Sequence, residues 1–255
     1  VKIRHLTHSC LLVETVGRRL LVDPGGFSAE AVQGLGPEAL AGIDAVAITH
    51  QHPDHVDPAL LGEILAASPQ AIVVAEPETA VQLEDSRSAA DSPLADLVGP
   101  ERLITLHAGD THELPPADGQ SPLRIRAVGG QHAVIHPDIP RVGNIGLVVS
   151  AGDGPRLGIT GDSLTDLPEF RRIDALAFAV VAPWSKMAET IDFLRAVRPR
   201  LALPVHDAVA SPQGRAIYLR QSTALAPEGT EVRDWPEADR TVEITGRAEA
   251  AGQHP

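Results

Sequence analysis

Hydrophobic and polar residues change their rhythm several times along the chain. The opening runs 1–6, 10–16 and 18–23 are rich in β-forming residues, with Gly17 placed for a tight turn between the second and third. From residue 44 the rhythm becomes strand, then helix. An apolar run at 44–49 precedes a helix over 58–67 opened by Asp57-Pro58, then a strand at 71–75 and a helix from Pro77 into Glu84. Residues 85–100 are polar and interrupted by Pro93 and Pro100, which predicts a connector with at most one short helix. Strands resume at 102–107, near 111–114, and at 123–128, 144–150 and 156–160, with Gly152-Asp153-Gly154 turning the chain between the last two. A strand at 175–181 leads to a helix from Lys186 to Val197, with Ser185 as its N-cap and Pro199 just past its end. A strand at 201–205 and a helix from Pro212 to about Leu225 complete the pattern.

Strands first and then βα units, twice over, is the one-dimensional form of an α/β protein of the αβ/βα sandwich type, two facing sheets with helices outside. No sequence repeat of fixed short period interrupts it. A chain of 255 residues, 43% hydrophobic, supports a sizeable core, read as a single domain over 1–247 with 248–255 as a disordered tail. The net charge of -13 argues against nucleic acid or an anionic membrane as partner, because both attract basic surfaces. No window approaches the length of a membrane span. The lone Cys10 excludes an internal disulfide and reads as a small strand residue. With no charged start followed by an apolar segment, a cytoplasmic protein is expected. The expected partner is a small-molecule substrate, and oligomeric state has no signature in the sequence.

The chemistry concentrates at Ile48-Thr49-His50-Gln51-His52-Pro53-Asp54-His55, which packs three imidazoles and a carboxylate into six positions. On an extended segment His50 and His52 point the same way, since side chains alternate. Pro53 fixes φ and forces a change of direction, so Asp54 and His55 can swing toward a neighbouring point. Two adjacent metal positions follow. The cluster falls on a strand-to-helix loop, where α/β proteins place their chemistry.

His-x-His-x-Asp-His after a hydrophobic strand resembles the metallo-β-lactamase superfamily of metal-dependent hydrolases. Counterparts of its other motifs stand in the expected order: Leu20-Leu21-Val22-Asp23-Pro24-Gly25-Gly26, then Gly129-Gly130-Gln131-His132, Ile159-Thr160-Gly161-Asp162-Ser163 and Leu203-Pro204-Val205-His206-Asp207. The resemblance implies a four-layer sandwich of the metallo-β-lactamase type carrying two divalent metal ions. On that reading His50, His52 and His132 hold one ion, Asp54, His55 and His206 hold the second, and Asp162 bridges them. Asp23 steers a ligand imidazole by accepting its other ring N–H. Asp54 and Asp162 are then the carboxylates of the catalytic centre, and a metal-bridging hydroxide is the nucleophile, its pKa lowered toward ~7. Five imidazoles and two carboxylates without a thiolate suit Zn(II), Mn(II) or Fe(II), with zinc expected first and manganese second. His8-Ser9-Cys10, the Gly-Asp-Ser motif and the stretch from Ala182-Pro183-Trp184 to His206 are similar to the ascorbate-6-phosphate lactonase-like branch.

Substrate contacts are expected from His8, His136, Arg141, Trp184 and Lys186. Each also has a plainer reading: a satisfied structural histidine for His8, a solvent-facing loop for His136 and Arg141, core for Trp184, and a solvated first helical turn for Lys186. The loop from His132 to Gly146 is either a lid or a connector anchored by two prolines. His107, His112 and His254 read as surface or edge residues. Two dications opposed by Asp54, Asp162 and one hydroxide leave local positive charge, so a small anionic ester, lactone or phosphodiester is the expected substrate. Dizinc β-lactam hydrolases usually carry cysteine where Asp162 stands. Nucleases of the superfamily generally add a large insertion or basic arm, whereas only 44 positions separate Asp162 from His206. The alternatives are a diiron redox enzyme or a non-catalytic metal-binding protein. The diiron members resemble this scaffold but carry a flavodoxin partner and commonly replace the second histidine, retained here as His52. The complete ligand set argues against the non-catalytic reading.

Overall fold

The opening meander forms as its alternation requires: β1 (Lys2–Thr7), β2 (Cys10–Thr15) and β3 (Arg18–Val22) pair antiparallel. Val16 and Gly17, at φ 46° and 72°, supply the left-handed pair that a two-residue hairpin turn needs to match strand twist. Two short helices that the pattern did not announce, α1 (Ala29–Gln33) and α2 (Pro37–Leu40), carry the chain to β4 (Ala45–Ile48). Then come α3 (Pro58–Ala67), β5 (Ile72–Ala75), α4 (Pro77–Ser88) and β6 (Leu103–Thr105), with β4, β5 and β6 added parallel to β3. Asp57 caps α3 as expected, its carboxylate accepting from the amides of Ala59 and Leu60. The computed structural model describes residues 1–89, 91–95, 99, 101–117 and 121–246. The expected tail at 248–255, with His254, lies outside the described residues.

The second half repeats the plan. Strands β7 (Thr111–Leu114), β8 (Leu123–Gly129), β9 (Ile145–Ala151) and β10 (Leu157–Ile159) pair antiparallel, each with the next in this series. Then β11 (Ala175–Ala179), α5 (Met187–Val197), β12 (Leu201–Val205), α6 (Pro212–Ala224) and β13 (Glu231–Val232) continue the sheet in parallel. Finally β14 (Thr241–Glu243) crosses back to pair with β1. The described residues thus form two seven-stranded sheets, ordered β14-β1-β2-β3-β4-β5-β6 and β13-β12-β11-β10-β9-β8-β7.

Alternation along each strand sorts the apolar residues into three layers. Leu11, Leu20, Ala45 and Val74 of the first sheet meet Ile125, Leu147, Ile159, Ala177 and Leu203 of the second in a central cluster. Leu12, Leu21, Val46 and Val73 face outward onto Leu61, Ile64 and Leu65 of α3, while Val148, Leu176 and Ala202 face Phe193, Leu194 and Val197 of α5. This is the αβ/βα sandwich expected from the sequence.

Several boundaries differ from expectation. Lys186, extended at φ −98° and ψ 150°, is the N-cap of α5 in place of Ser185, and its backbone amide donates to Glu189 at 2.9 Å. Helix α4 runs past Glu84 to Ser88, into the segment expected to be a connector. Its start is anchored by Glu76, whose carboxylate accepts from the Thr79 amide. Among the described residues no helix is long and apolar enough to cross a membrane.

Candidate metal centre

Parallel strands deliver their carboxyl ends to one side of a sheet, where α/β proteins gather ligand groups. Asp23 follows β3, the 49–55 segment follows β4, His132 follows β8, Asp162 follows β10, Trp184 follows β11 and His206 follows β12. His8 sits in the β1–β2 turn. Three of these residues, His8, Asp23 and His206, take left-handed backbone at φ 57°, 48° and 62°, a strained conformation that surrounding contacts must hold. The His206 amide donates to the His8 carbonyl at 2.9 Å, and the Asp23 amide to Ala47 at 3.0 Å. Gly25 lies against the Asp54–His55 backbone so closely that a Cβ would fall 2.0 Å from the Asp54 carbonyl. Glycine is required there for the loop to fit.

The seven side chains expected as ligands come together. Ligand atoms of His50, His52, His132 and Asp162 lie within 4.8 Å of one another, as do those of Asp54, His55, His206 and His8. Asp162 stands between the groups: its Oδ1 is 3.1 Å from His55 Nε2, and its Oδ2 is 3.2 Å from His206 Nε2, 3.3 Å from His132 Nε2 and 3.8 Å from His50 Nε2.

The outer ring nitrogens fix which lone pairs face inward. His55 Nδ1 donates to Asp23 at 2.8 Å, His132 Nδ1 to the Ala133 carbonyl at 2.7 Å and His206 Nδ1 to the Val181 carbonyl at 2.9 Å. Their Nε2 atoms and Asp162 Oδ1 are buried without a hydrogen-bond partner. Unpaired polar atoms in a protein interior are costly, and these four, gathered in the two adjoining His/Asp clusters, fit metal ions. His50 Nε2 and His52 Nδ1 stand 3.1 Å apart, so this pair would present opposite ring nitrogens to a common ion. Thr49 completes the network. Its hydroxyl donates to Asp23 at 2.8 Å and accepts from His50 Nδ1 at 3.1 Å, while its amide donates to the other Asp23 oxygen. Asp23 therefore orients His55 directly and His50 through Thr49.

His8 behaves differently from a ligand. Its Nδ1 accepts from the Ala208 amide at 3.2 Å, so the neutral ring carries its proton on Nε2, which faces Asp54 Oδ2 at 3.0 Å. It is fully buried and its pKa is lowered, chiefly by that burial. His8 donates to the Asp54 carboxylate. A ligand role through Nε2 would need a proton on Nδ1, which would then meet the Ala208 N–H.

Burial lowers His50 well below the usual imidazole range, with His55 adding to the effect, and lowers His52 with help from His132. Burial opposes charge on His55 and His206 as well, but Asp162 raises both, with Asp23 also raising His55. Asp162 is itself held well below the carboxylate range: burial works against ionisation, and His55 and His206 overcome it. For Asp54 burial again opposes, while the His8 hydrogen bond and the His55 charge bring its pKa down to about 2. Two ionised carboxylates in a buried pocket call for positive charge nearby, and divalent ions would supply it.

Trp184 is half-buried and donates its indole N–H to Asp162 Oδ2 at 2.8 Å, so it touches the proposed bridging carboxylate. Asn144, buried, accepts from the Asp162 amide at 2.9 Å and donates to the Thr160 carbonyl. Arg141 is exposed and donates through Nε to the His132 carbonyl. His136 and Lys186 are also exposed. The bond of His136 is local, from the Asp138 amide to Nδ1, and that of Lys186 is its backbone cap. Of the five expected substrate contacts, the structure places His8 and Trp184 on the carboxylates and Arg141 on the backbone of a ligand. It leaves His136 and Lys186 at the surface. Thr49 was missed because its role lies in non-local bonds, although its position just before His50 was a signal.

A family model described as a β-lactamase superfamily domain matches residues 2–206. The chain belongs to the β-lactamase superfamily. Within reach of that superfamily assignment, the protein Rv0786c of Mycobacterium tuberculosis is 42% identical over 228 residues, covering 88% of this chain and 92% of its own. A metallo hydrolase from the archaeon Ignicoccus hospitalis has a similar structure, with TM-score 0.63 at 20% identity over 95% of this chain and 97% of that one. The metallo-β-lactamase fold protein YhfI of Bacillus subtilis gives TM-score 0.61 at 16% identity, covering 96% and 97%. The sandwich is thus the metallo-β-lactamase fold.

Proposed function

We propose that the chain is a dinuclear metal-dependent hydrolase acting on a small anionic ester, lactone or phosphodiester. The observation that carries this is the set of buried Nε2 atoms of His55, His132 and His206, unpartnered and aimed at Asp162, while each Nδ1–H is fixed on a carboxylate or a carbonyl. His50, His52 and His132 would hold one ion, Asp54, His55 and His206 the second, with Asp162 between them. Zinc is the first choice, manganese or iron the next. Divalent ions here supply Lewis acidity and make water a competent nucleophile at neutral pH.

The chain's own residues do the positioning. Trp184 and His8 each donate one N–H to a carboxylate, Asp162 and Asp54, and fix which oxygens face inward. Asp23 and Thr49 hold His55 and His50. The excess of acidic over basic side chains disfavours a polyanion such as nucleic acid, or an anionic membrane, while leaving a small anion at the centre favourable. The name of the archaeal structural neighbour supports hydrolysis, and the likeness to the ascorbate-6-phosphate lactonase-like branch supports an anionic lactone or ester.

Elemental analysis after reconstitution, combined with a screen of phosphodiester, lactone and thioester substrates on the same protein, tests this reading. The expected result is about two ions per chain, because one tetrahedral site uses only four ligands, with turnover on one of these classes. One ion at most, with metal content unchanged by His206→Ala, overturns the dinuclear assignment. Iron with oxygen consumption and no hydrolysis replaces it by the redox reading.

A further inference from the structure

A cavity of about 360 Å³ borders the candidate centre through Asn144, which holds the Asp162 amide, and lies at the low end of the ~300–1,000 Å³ in which small-molecule sites fall. Its apolar walls come from Val128, Leu167 and Phe170, and Arg141 is the one charged side chain among the described residues that line it. Ser163 and Thr165 also line it, and the same two residues line a neighbouring cleft of about 290 Å³ that contains Val134, Leu164 and Trp184. The two spaces have Ser163 and Thr165 as a common wall. Trp184 ties the cleft to the centre through its 2.8 Å bond to Asp162. Trp184 and the shared pair Ser163 and Thr165 thus set the cleft between the Asp162 carboxylate and the apolar chamber. The loop after His132 adds exposed Val134, Ile135 and Ile139, an apolar margin that a purely polar substrate would not use.

We infer that the chamber takes an acyl chain or aromatic ring of the substrate, with Arg141 receiving an anionic group at the rim. The substrate class is then an amphiphilic anion and not a sugar phosphate or other uniformly polar one. This rests on the hydrolase reading for the role of the neighbouring centre, but the chamber's preference for apolar groups does not depend on turnover. The Arg141 guanidinium meets no acidic side chain among the residues lining the chamber, so its charge is available to a ligand.

Titration calorimetry of the metal-reconstituted protein with acetate and octanoate tests the assignment without requiring catalysis. Octanoate should bind at least about tenfold tighter than acetate, because burying even two methylenes supplies that factor. Leu167→Trp, which fills the chamber, should erase the difference. Should that variant fail to fold, Thr165→Trp obstructs the chamber from an exposed position on its wall and should do the same. Arg141→Ala should weaken octanoate binding and leave binding of the neutral 1-octanol unchanged. Equal affinity for acetate and octanoate in the wild type, or a chain-length preference that survives both tryptophan variants, overturns the inference. Hydrolysis without chain-length preference would sink this inference and keep the hydrolase; preference without any hydrolysis would do the reverse.

Discussion

The two sheets orient their shares of the candidate ligands by different means. On the first sheet, His55 and His50 are held by side chains, Asp23 directly and Thr49 as relay. On the second, His132 and His206 are held by the carbonyls of Ala133 and Val181. A carbonyl acceptor survives any side-chain substitution that leaves the backbone in place, whereas a carboxylate acceptor is lost with a single replacement. The difference teaches where the centre is vulnerable: the first-sheet half can be loosened without unfolding, and the second-sheet half depends on the fold itself.

The largest effect should come from Asp162→Ala, which removes the group shared by both halves. Turnover on a confirmed substrate is expected to fall to background and metal content to drop with it, since this carboxylate stands 3.1 to 3.3 Å from His55, His132 and His206. Near wild-type turnover would remove the bridging role. Next comes Asp23→Asn. Asparagine tolerates the left-handed backbone at φ 48°, so the change isolates loss of the carboxylate, and a ~10- to 100-fold fall in metal affinity or activity is expected. An unchanged metal-binding isotherm would show that His55 needs no such partner.

Trp184→Phe probes the indole donor to Asp162 on the second-sheet half. A hydrogen bond to an ionised group is worth about 1.5–3 kcal/mol, but four imidazoles also surround Asp162, so roughly a tenfold loss of kcat with little change in metal content is expected. Thr49→Val keeps the shape and β-branching of the residue while cutting the relay, and roughly a fivefold fall in metal affinity should follow. A loss as large as that of Asp23→Asn would mean that the relay, and not the direct bond to His55, carries the effect. Asp57→Ala belongs to neither half of the ligand set. It should cost about 1 kcal/mol in urea unfolding by uncapping α3 and leave metal affinity unchanged, the control against which the others are read.

Much of this was legible in the chain. The 48–55 cluster is local, so its residue types and spacing could be read directly, and the apolar runs placed most of the strands. Other elements carried no readable pattern. The three residues of β14, Thr241-Val242-Glu243, are too short and too mixed for any periodic window; they form a strand because the edge of β1 is there to receive them. Helices α1 and α2 are likewise shorter than the windows from which a helical period is read. Lys186 displaced Ser185 as the cap of α5 because Glu189 lies three residues on and accepts its amide, a detail of side-chain geometry.

The same division holds at the centre. By itself the sequence determined which residues can ligate a metal, that four of them share one loop, and, through resemblance, that His132, Asp162 and His206 belong with them. Only the tertiary structure decided which ring nitrogen of each histidine faces inward. That choice is made by the partner of the opposite nitrogen, and for two of the histidines that partner is far away in sequence: Asp23 lies 32 residues from His55, and Val181 lies 25 from His206. For His8 the deciding group is the Ala208 amide, 200 residues distant, which turns an imidazole that the sequence offers as a substrate contact or a structural histidine into a donor holding Asp54. Residue type fixes what a side chain can do, and the hydrogen bond on its far side, set by chain packing, fixes which of those things it does.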